Sequence, residues 1–397
     1  MRYLSVIFFY LSTLIINPMI ANATEFEIGV GTHIANYPEN PEKYIKLMEN
    51  YGFSSFRDGF SWNAVEREKG NLSISEKIAG LDSIFSNGRE KINVLFVLGY
   101  GNKFYTSNGY PRNQKEVDEF LKYVSWVSKK YKGKIKYYEI WNEWLLGTGV
   151  DVEKKRSIPS NDIFMYLVKR TSEEIRKNDP DAILMTGSIN PLKPAEVDWI
   201  LELIKKGLLE YVDGISIHPY SFNHPNRSFH NPENNIKYID DFESKIKSIT
   251  GKNVNLYITE MGYPTSVLAG GVKQSQAAQD VIKYTLLVKS RDFIKGIWWY
   301  DLIDDGNDLF NREHWFGLFT QHAEPKESAI LLKKLLSLIK NKNVIVKDTS
   351  DKEYHIGIND NNELIKIKWN MGKNYSFDEW YQKVNTPDNV RSIGNGE

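Results

Sequence analysis

The chain has 397 residues, 51 of them basic and 51 acidic, so it carries no net charge. That balance gives no electrostatic reason to expect nucleic acid or an anionic membrane surface as partner. Cysteine is absent, which excludes disulfides, thiolate metal sites, iron–sulfur clusters and cysteine nucleophiles.

At the N-terminus, Met1 and Arg2 precede a mostly apolar run from Leu4 to Ile16, and Ala21-Asn22-Ala23 follows. This order predicts a secretory signal over residues 1–23, cut after Ala23, and a protein exported to the periplasm or beyond the cell. About 13 apolar-leaning residues fall short of the ~20 that span a bilayer, so no stable membrane span is expected.

From Glu25 to about Lys340 short β-rich runs alternate with longer amphipathic stretches, the pattern of parallel strands joined by crossover helices. The expected strands are Phe26–Ile34, Ser54–Trp62, Lys91–Gly99, Lys136–Trp144, Ile183–Ile189, Gly214–Tyr220, Val254–Met261 and Gly296–Leu302. Helical stretches include Pro41–Tyr51, Gln114–Tyr131, Ile163–Lys177, Ala195–Leu208, Ile236–Ile249, Ser275–Arg291 and Ser328–Ile339. Eight such units predict an α/β fold of the (β/α)8 TIM barrel type over residues 24–342, rather than an open doubly wound sheet. Beyond it, Asn343–Val346, Tyr354–Ile358 and Leu364–Trp369 read as short strands of a small β-rich C-terminal appendage, residues 343–397. The polar end, Arg391–Glu397, is expected to fray.

Two of the strands end unusually. Lys136–Trp144 closes on Asn142-Glu143, and the apolar run from Asn255 closes on Thr259-Glu260-Met261. An unpaired carboxylate among apolar neighbours costs several kcal/mol or shifts its pKa, so each Glu is either paired or kept for chemistry. Both fall at carboxyl ends of barrel strands, where barrel enzymes place catalytic groups. Asn-Glu and Thr-Glu pairs by themselves carry little weight, since Asn362-Glu363 and Thr24-Glu25 occur in polar surroundings. Two carboxylates flanking one bond are what hydrolysis of a glycosidic linkage requires. Glu139 lies deeper on the same strand as Glu143 and is read as a structural partner for a buried base or hydroxyl.

This combination resembles the clan A retaining glycoside hydrolases, in which a Glu after Asn on strand four is the acid/base and a Glu on strand seven is the nucleophile. The resemblance extends to Arg57 and Trp62 in Phe56-Arg57-Asp58-Gly59-Phe60-Ser61-Trp62, to His218-Pro219-Tyr220, and to Trp298-Trp299-Tyr300-Asp301. Phe316-Gly317-Leu318-Phe319 with Pro325-Lys326 is similar to a segment of family 39 and related bacterial exopolysaccharide glycosidases. The resemblance implies Glu143 as general acid/base, Glu260 as nucleophile and Asn142 as donor to the sugar 2-hydroxyl. It implies further that His218 and Tyr220 bind sugar or orient the two carboxylates, and that Arg57 holds Glu260 ionised.

His33, at the end of the first strand, is divided between sugar contact and core polar group. Trp298 and Trp299 cannot both face the pocket on an alternating strand, and Trp298 is taken as the sugar platform. Trp62, Tyr105, Tyr220 and Trp298 are expected to meet successive rings of a long glycan cut internally. Loops after the third and eighth strands should rim the cleft. The 7 His form no HExxH motif and no close pair, and no phosphate loop or GxSxG elbow occurs, so neither metal nor cofactor is expected. The chain is read as a monomer acting on a polysaccharide or oligosaccharide of a bacterial surface. A β-xylosidase or endo-β-glucanase, a non-catalytic carbohydrate-binding barrel, and a scaffold of polysaccharide export are the competing readings.

Overall fold

A computed structural model describes residues 26–87, 92–349, 353–360, 363–370, 372–385 and 391–392. The expected signal, residues 1–23, lies outside them. Eight parallel strands close a barrel in chain order: β1 (Glu27–Gly31), β2 (Ser55–Asp58), β3 (Asn93–Leu98), β4 (Tyr137–Ile140), β5 (Ile183–Ile189), β6 (Gly214–Ile217), β7 (Leu256–Met261) and β8 (Ile294–Trp299). Helices α1 (Pro41–Tyr51), α2 (Trp62–Val65), α3 (Glu76–Asn87), α4 (Gln114–Lys130), α5 (Asn161–Asn178), α6 (Pro194–Lys205), α7 (Pro232–Thr250), α8 (Gln274–Lys289) and α9 (Glu327–Ile339) alternate with them. The fold is thus the expected TIM barrel.

Local chemistry explains the element ends. α1 starts on Asn40, whose side chain accepts from the Glu42 amide, has Pro41 in its first turn, and stops at Gly52 in the left-handed region. α3, absent from the expected helices, buries Ile78, Leu81, Ile84 and Phe85 at helical spacing. β2, β4 and β6 end sooner than the apolar runs suggested. Their last residues leave the ladder to build the loops at the carboxyl end, and Trp62 opens α2 instead of closing β2.

Inside the barrel side chains stack in layers. The lower layer contains Leu95, Tyr137, Met185, Tyr257 and Trp298, all buried. Successive residues on a strand point to opposite faces, so the next inward layer comes two residues further on. On β2, β4 and β7 that layer is Arg57, Glu139 and Thr259, and beyond β8 it is Tyr300. Hydrocarbon below gives way to charge above, which puts the polar chemistry at the carboxyl-end mouth.

This layering corrects the reading of Trp298. It faces the barrel interior, and Trp299 packs outward on Tyr284 and Tyr263. Trp298 nevertheless lies in the lower layer, too deep to meet sugar, and its indole Nε1 donates to Ser55 Oγ at 3.0 Å. Gly29 pairs with Trp298 across the β1–β8 ladder. A Cβ on Gly29 would sit 2.3 Å from Trp298 Cδ1, so only glycine admits the ring.

After α9 the chain forms β9 (Asn343–Thr349), β10 (Glu353–Asp360), β11 (Glu363–Asn370), α10 (Phe377–Asn385) and β12 (Arg391–Ser392). The four strands make an antiparallel sheet in the order β12-β11-β10-β9. Arg391 and Ser392, expected to fray, pair with Leu364 and Glu363; residues 393–397 lie outside the described residues. The sheet is docked on the barrel: Trp369 Nε1 donates to Glu233 Oε1 at 2.7 Å, and the Tyr375 amide donates to Gln279 Oε1 at 3.1 Å. Among the described residues no helix is long and apolar enough to cross a membrane.

Candidate active site

Glu143 and Glu260 meet at the mouth of the barrel. Glu143 follows β4 on a stretch in which Trp141 and Glu143 itself have positive φ, 63° and 47°. Non-glycine residues hold that conformation only when packing fixes it. Here Trp141 and Trp144 are buried against Tyr110, whose hydroxyl donates to the Trp144 carbonyl at 2.8 Å. Glu260 lies within β7. One carboxylate oxygen of each Glu and His218 Nδ1 all lie within 4.8 Å of one another.

Arg57 ties this cluster together. Its Nε donates to Glu139 at 2.7 Å, Nη1 to Glu260 Oε1 at 2.5 Å and Nη2 to Asn142 Oδ1 at 2.8 Å. Asn142 Nδ2 donates in turn to Tyr100 Oη at 3.1 Å, and Tyr220 Oη donates to the second Glu260 oxygen at 3.2 Å. Glu143 accepts from the Thr148 hydroxyl.

The bonding around His218 fixes its protons. Thr259 Oγ1 gives its proton to Glu139 at 2.8 Å, so it must accept from His218 Nε2 at 2.9 Å. Nδ1 lies 3.1 Å from Glu143 and 3.6 Å from Glu260. Burial works to lower the imidazole pKa, but the charges of Glu260, Glu139 and Glu143 outweigh it and raise the value from 6.5 to about 10. Nδ1 is therefore protonated and donates to Glu143. Burial works to raise the Glu143 pKa, yet the His218 hydrogen bond and charge, with Thr148, hold it below the ordinary carboxylate value. Glu139, fully buried, is also lowered: Arg57 and His218 overcome its desolvation.

The carboxylates face a cavity of about 650 Å³. Of the expected site residues, His33, Arg57, Asn142, Glu143, His218, Tyr220 and Glu260 line it. His33 Nδ1 faces both oxygens of Asp305 at 3.1 Å; burial depresses its pKa, but Asp305, Asp301 and Asp58 raise it to about 9. Two expected residues are elsewhere. Trp298 is in the lower core, and Trp62 is fully buried, its Nε1 donating to Glu66 at 2.6 Å. Tyr105 stacks on Trp62 with ring centroids 5.0 Å apart and also binds Glu66, so it does not line the cavity either. Of the four aromatics expected to meet successive rings, Tyr220 alone lines this cavity.

Residues that the sequence reading did not assign to the site also line it, among them Tyr100, Leu146, Lys155, Tyr300, Glu313 and Phe316. Tyr300 had a usable signal. It shares the inward face with Trp298 and sits one layer higher, so alternation combined with depth along the strand points to it. Lys155, in the long loop after β4, had none.

The profile of the family described as cellulase (glycosyl hydrolase family 5) matches residues 19–300. Endo-1,4-beta-xylanase A of Xylanibacter ruminicola is 26% identical over 166 residues, 40% of this chain; the match spans 41% of that protein's length. A family 39 glycoside hydrolase from Bacteroides cellulosilyticus WH2 superposes with a TM-score of 0.69 at 22% identity, covering 88% of this chain and 71% of the other. Xylanase 10B from Thermotoga petrophila RKU-1 superposes at 0.56 with 17% identity, covering 79% and 95%. These superpositions describe the shared barrel. The chain belongs to the cellulase family, glycosyl hydrolase family 5, and is a clan A glycoside hydrolase.

Proposed function

We propose that the protein is an exported retaining glycoside hydrolase that cuts a bacterial surface polysaccharide or exopolysaccharide, with Glu260 as nucleophile and Glu143 as general acid/base. The observation that carries this reading is the approach of the two carboxylates, with one oxygen of each inside the same 4.8 Å group. Retaining enzymes hold their carboxyls about 5 to 5.5 Å apart, whereas inverting enzymes leave about 6.5 to 9.5 Å for an intervening water. Glu260 attacks the anomeric carbon and forms a glycosyl ester, while Glu143 passes to the departing oxygen the proton that His218 Nδ1 holds against it. Glu143 then takes a proton from the water that hydrolyses the ester and returns it to His218, which regenerates the site.

The surrounding residues fit these roles. Arg57 and the Tyr220 hydroxyl each hold one Glu260 oxygen, which aims the carboxylate. Esterification of Glu260 removes a negative charge facing His218, which weakens the hold of His218 on that proton as Glu143 passes it to the leaving oxygen. Asn142, with its oxygen held by Arg57 and its nitrogen by Tyr100, is fixed in the cavity wall next to Glu143, which suits it to donate to a sugar hydroxyl. Export rests on the N-terminal apolar run.

A β-1,4-xylan is the second reading, favoured by the partial match to a protein named endo-1,4-beta-xylanase A. Digestion of purified exopolysaccharides, xylan and β-glucan side by side, with proton NMR of the first product, tests both points. A retained anomer from an exopolysaccharide supports the proposal; turnover of xylan alone selects the second reading. An inverted anomer rules out Glu260 as nucleophile.

A further inference from the structure

We propose that His33, Asp301 and Asp305 form a binding site for a divalent transition-metal ion, Zn²⁺ or Mn²⁺, in the wall of the cavity. Nδ1 of His33 and one carboxylate oxygen from each Asp lie within 4.8 Å of one another. His33 Nδ1 is 3.1 Å from Asp305 and 3.9 Å from Asp301. Two donors each bound ~2.1 Å from one ion lie about 3 Å apart at a right angle and about 3.4 Å apart at the tetrahedral angle. The His33–Asp305 separation already meets that spacing, and Asp301 would move inward to complete it.

A second, independent observation points to a ligand. Asp301 is completely buried, and among the described residues neither carboxylate oxygen has a hydrogen-bond partner. A buried carboxylate without partners is costly. Its neighbour Asp304 shows the ordinary remedy, with Lys326 Nζ at 2.7 Å and the Gly317 amide at 3.0 Å. Asp301 has neither. His33 Nδ1 lies 3.9 Å from Asp301, beyond hydrogen-bond reach, and faces both oxygens of Asp305 instead. One imidazole nitrogen and two carboxylates form a mixed nitrogen and oxygen donor set, suited to a borderline divalent ion.

Sequence spacing concealed the site, since His33 and Asp305 are 272 residues apart and come together only when β8 closes on β1. An ion here would bridge the loops after β1 and β8 and fix His33 in the cavity wall.

The test uses the full chain, stripped with EDTA, desalted, and titrated separately with Zn²⁺ and Mn²⁺. Retained metal is measured by mass spectrometry and the melting temperature by calorimetry, so neither readout depends on glycosidase activity. One retained ion per chain and a melting rise of at least ~3 °C are expected. Both should weaken at least tenfold in the metal concentration required for D305N and H33Q, and both should persist in E260Q. Absence of stoichiometric metal in the wild type, or binding unchanged in D305N and H33Q, overturns the site. Loss of the ion in E260Q would also overturn it, because the ion would then sit between Glu143, His218 and Glu260.

Discussion

Glu139 holds the Nε of Arg57 at 2.7 Å, and both side chains are buried. The same carboxylate accepts from Ser188 Oγ and from Thr259 Oγ1, each at 2.8 Å. Glu139 thus anchors the guanidinium that aims Glu260 and the hydroxyl that fixes His218. Removing one partner of a buried pair leaves the other charge uncompensated, which costs about 3 to 5 kcal/mol. Glu139→Ala should lose roughly that much stability in urea unfolding, on the order of 3 kcal/mol. A loss under about 1 kcal/mol would show that Arg57 finds compensation elsewhere.

The proposed roles of Glu143 and Glu260 predict unequal mutants. Glu260→Ala should abolish turnover with retention. Glu143→Ala should lose ~10² to 10⁴ in rate, and less on an aryl glycoside whose leaving group departs without a proton. Azide should rescue Glu143→Ala by attacking the glycosyl ester, giving a glycosyl azide of retained configuration. Near wild-type turnover in both mutants would remove these carboxylates from the chemistry.

His218 makes stability depend on alkaline pH. Its pKa rises from 6.5 to about 10 on folding, because burial is outweighed by Glu260, Glu139 and Glu143. A raised folded-state value contributes stability that is fully present below pH 6.5 and is lost as pH climbs through about 10. Urea unfolding at several pH values from 6 to 10 should therefore show wild type losing stability more steeply than His218→Gln across that window. Parallel curves would contradict the assignment of a protonated His218.

The same imidazolium holds Glu143 below its ordinary value. The basic limb of kcat/KM reports the essential acid of the free enzyme. His218 Nδ1 carries that proton in the resting site, so His218→Asn, which leaves Glu143 to hold it alone, should move the limb to lower pH. A pH–rate profile on an activated glycoside measures the shift, and an unmoved or raised limb contradicts the coupling.

Depth along β8 separates two aromatic residues that share a face. Trp298→Ala should cost about 3 to 5 kcal/mol in stability, as large-to-small changes in a packed core do. Tyr300→Ala should leave stability nearly intact and raise KM several-fold, since an aromatic contact contributes about 1 kcal/mol. If truncating Trp298 raises KM at unchanged stability, the layer assignment is wrong.

Repetition and patterning were legible in the residues themselves. Eight alternations of β-rich and amphipathic segments need parallel strands with crossover helices, and a carboxylate closing an apolar run marks a strand end facing the site, as at Glu143 and Glu260. Both signals are local, carried by chain neighbours. Alternation also divided Trp298 from Trp299 by face. It could not give depth, because a residue's height in a barrel depends on how neighbouring strands are staggered, and the pairing of Gly29 with Trp298 sets that height. Trp62 was misplaced for a related reason: the β2 ladder ends at Asp58, and the chain turns into α2 before Trp62 can face the cavity. The links from Arg57 to Glu139 and Glu260, from His218 to Glu143 and from His33 to Asp305 join residues 75 to 272 positions apart. Only closure of the barrel brings such groups together, since side-chain proximity over that range is a property of the folded sheet and of no local segment.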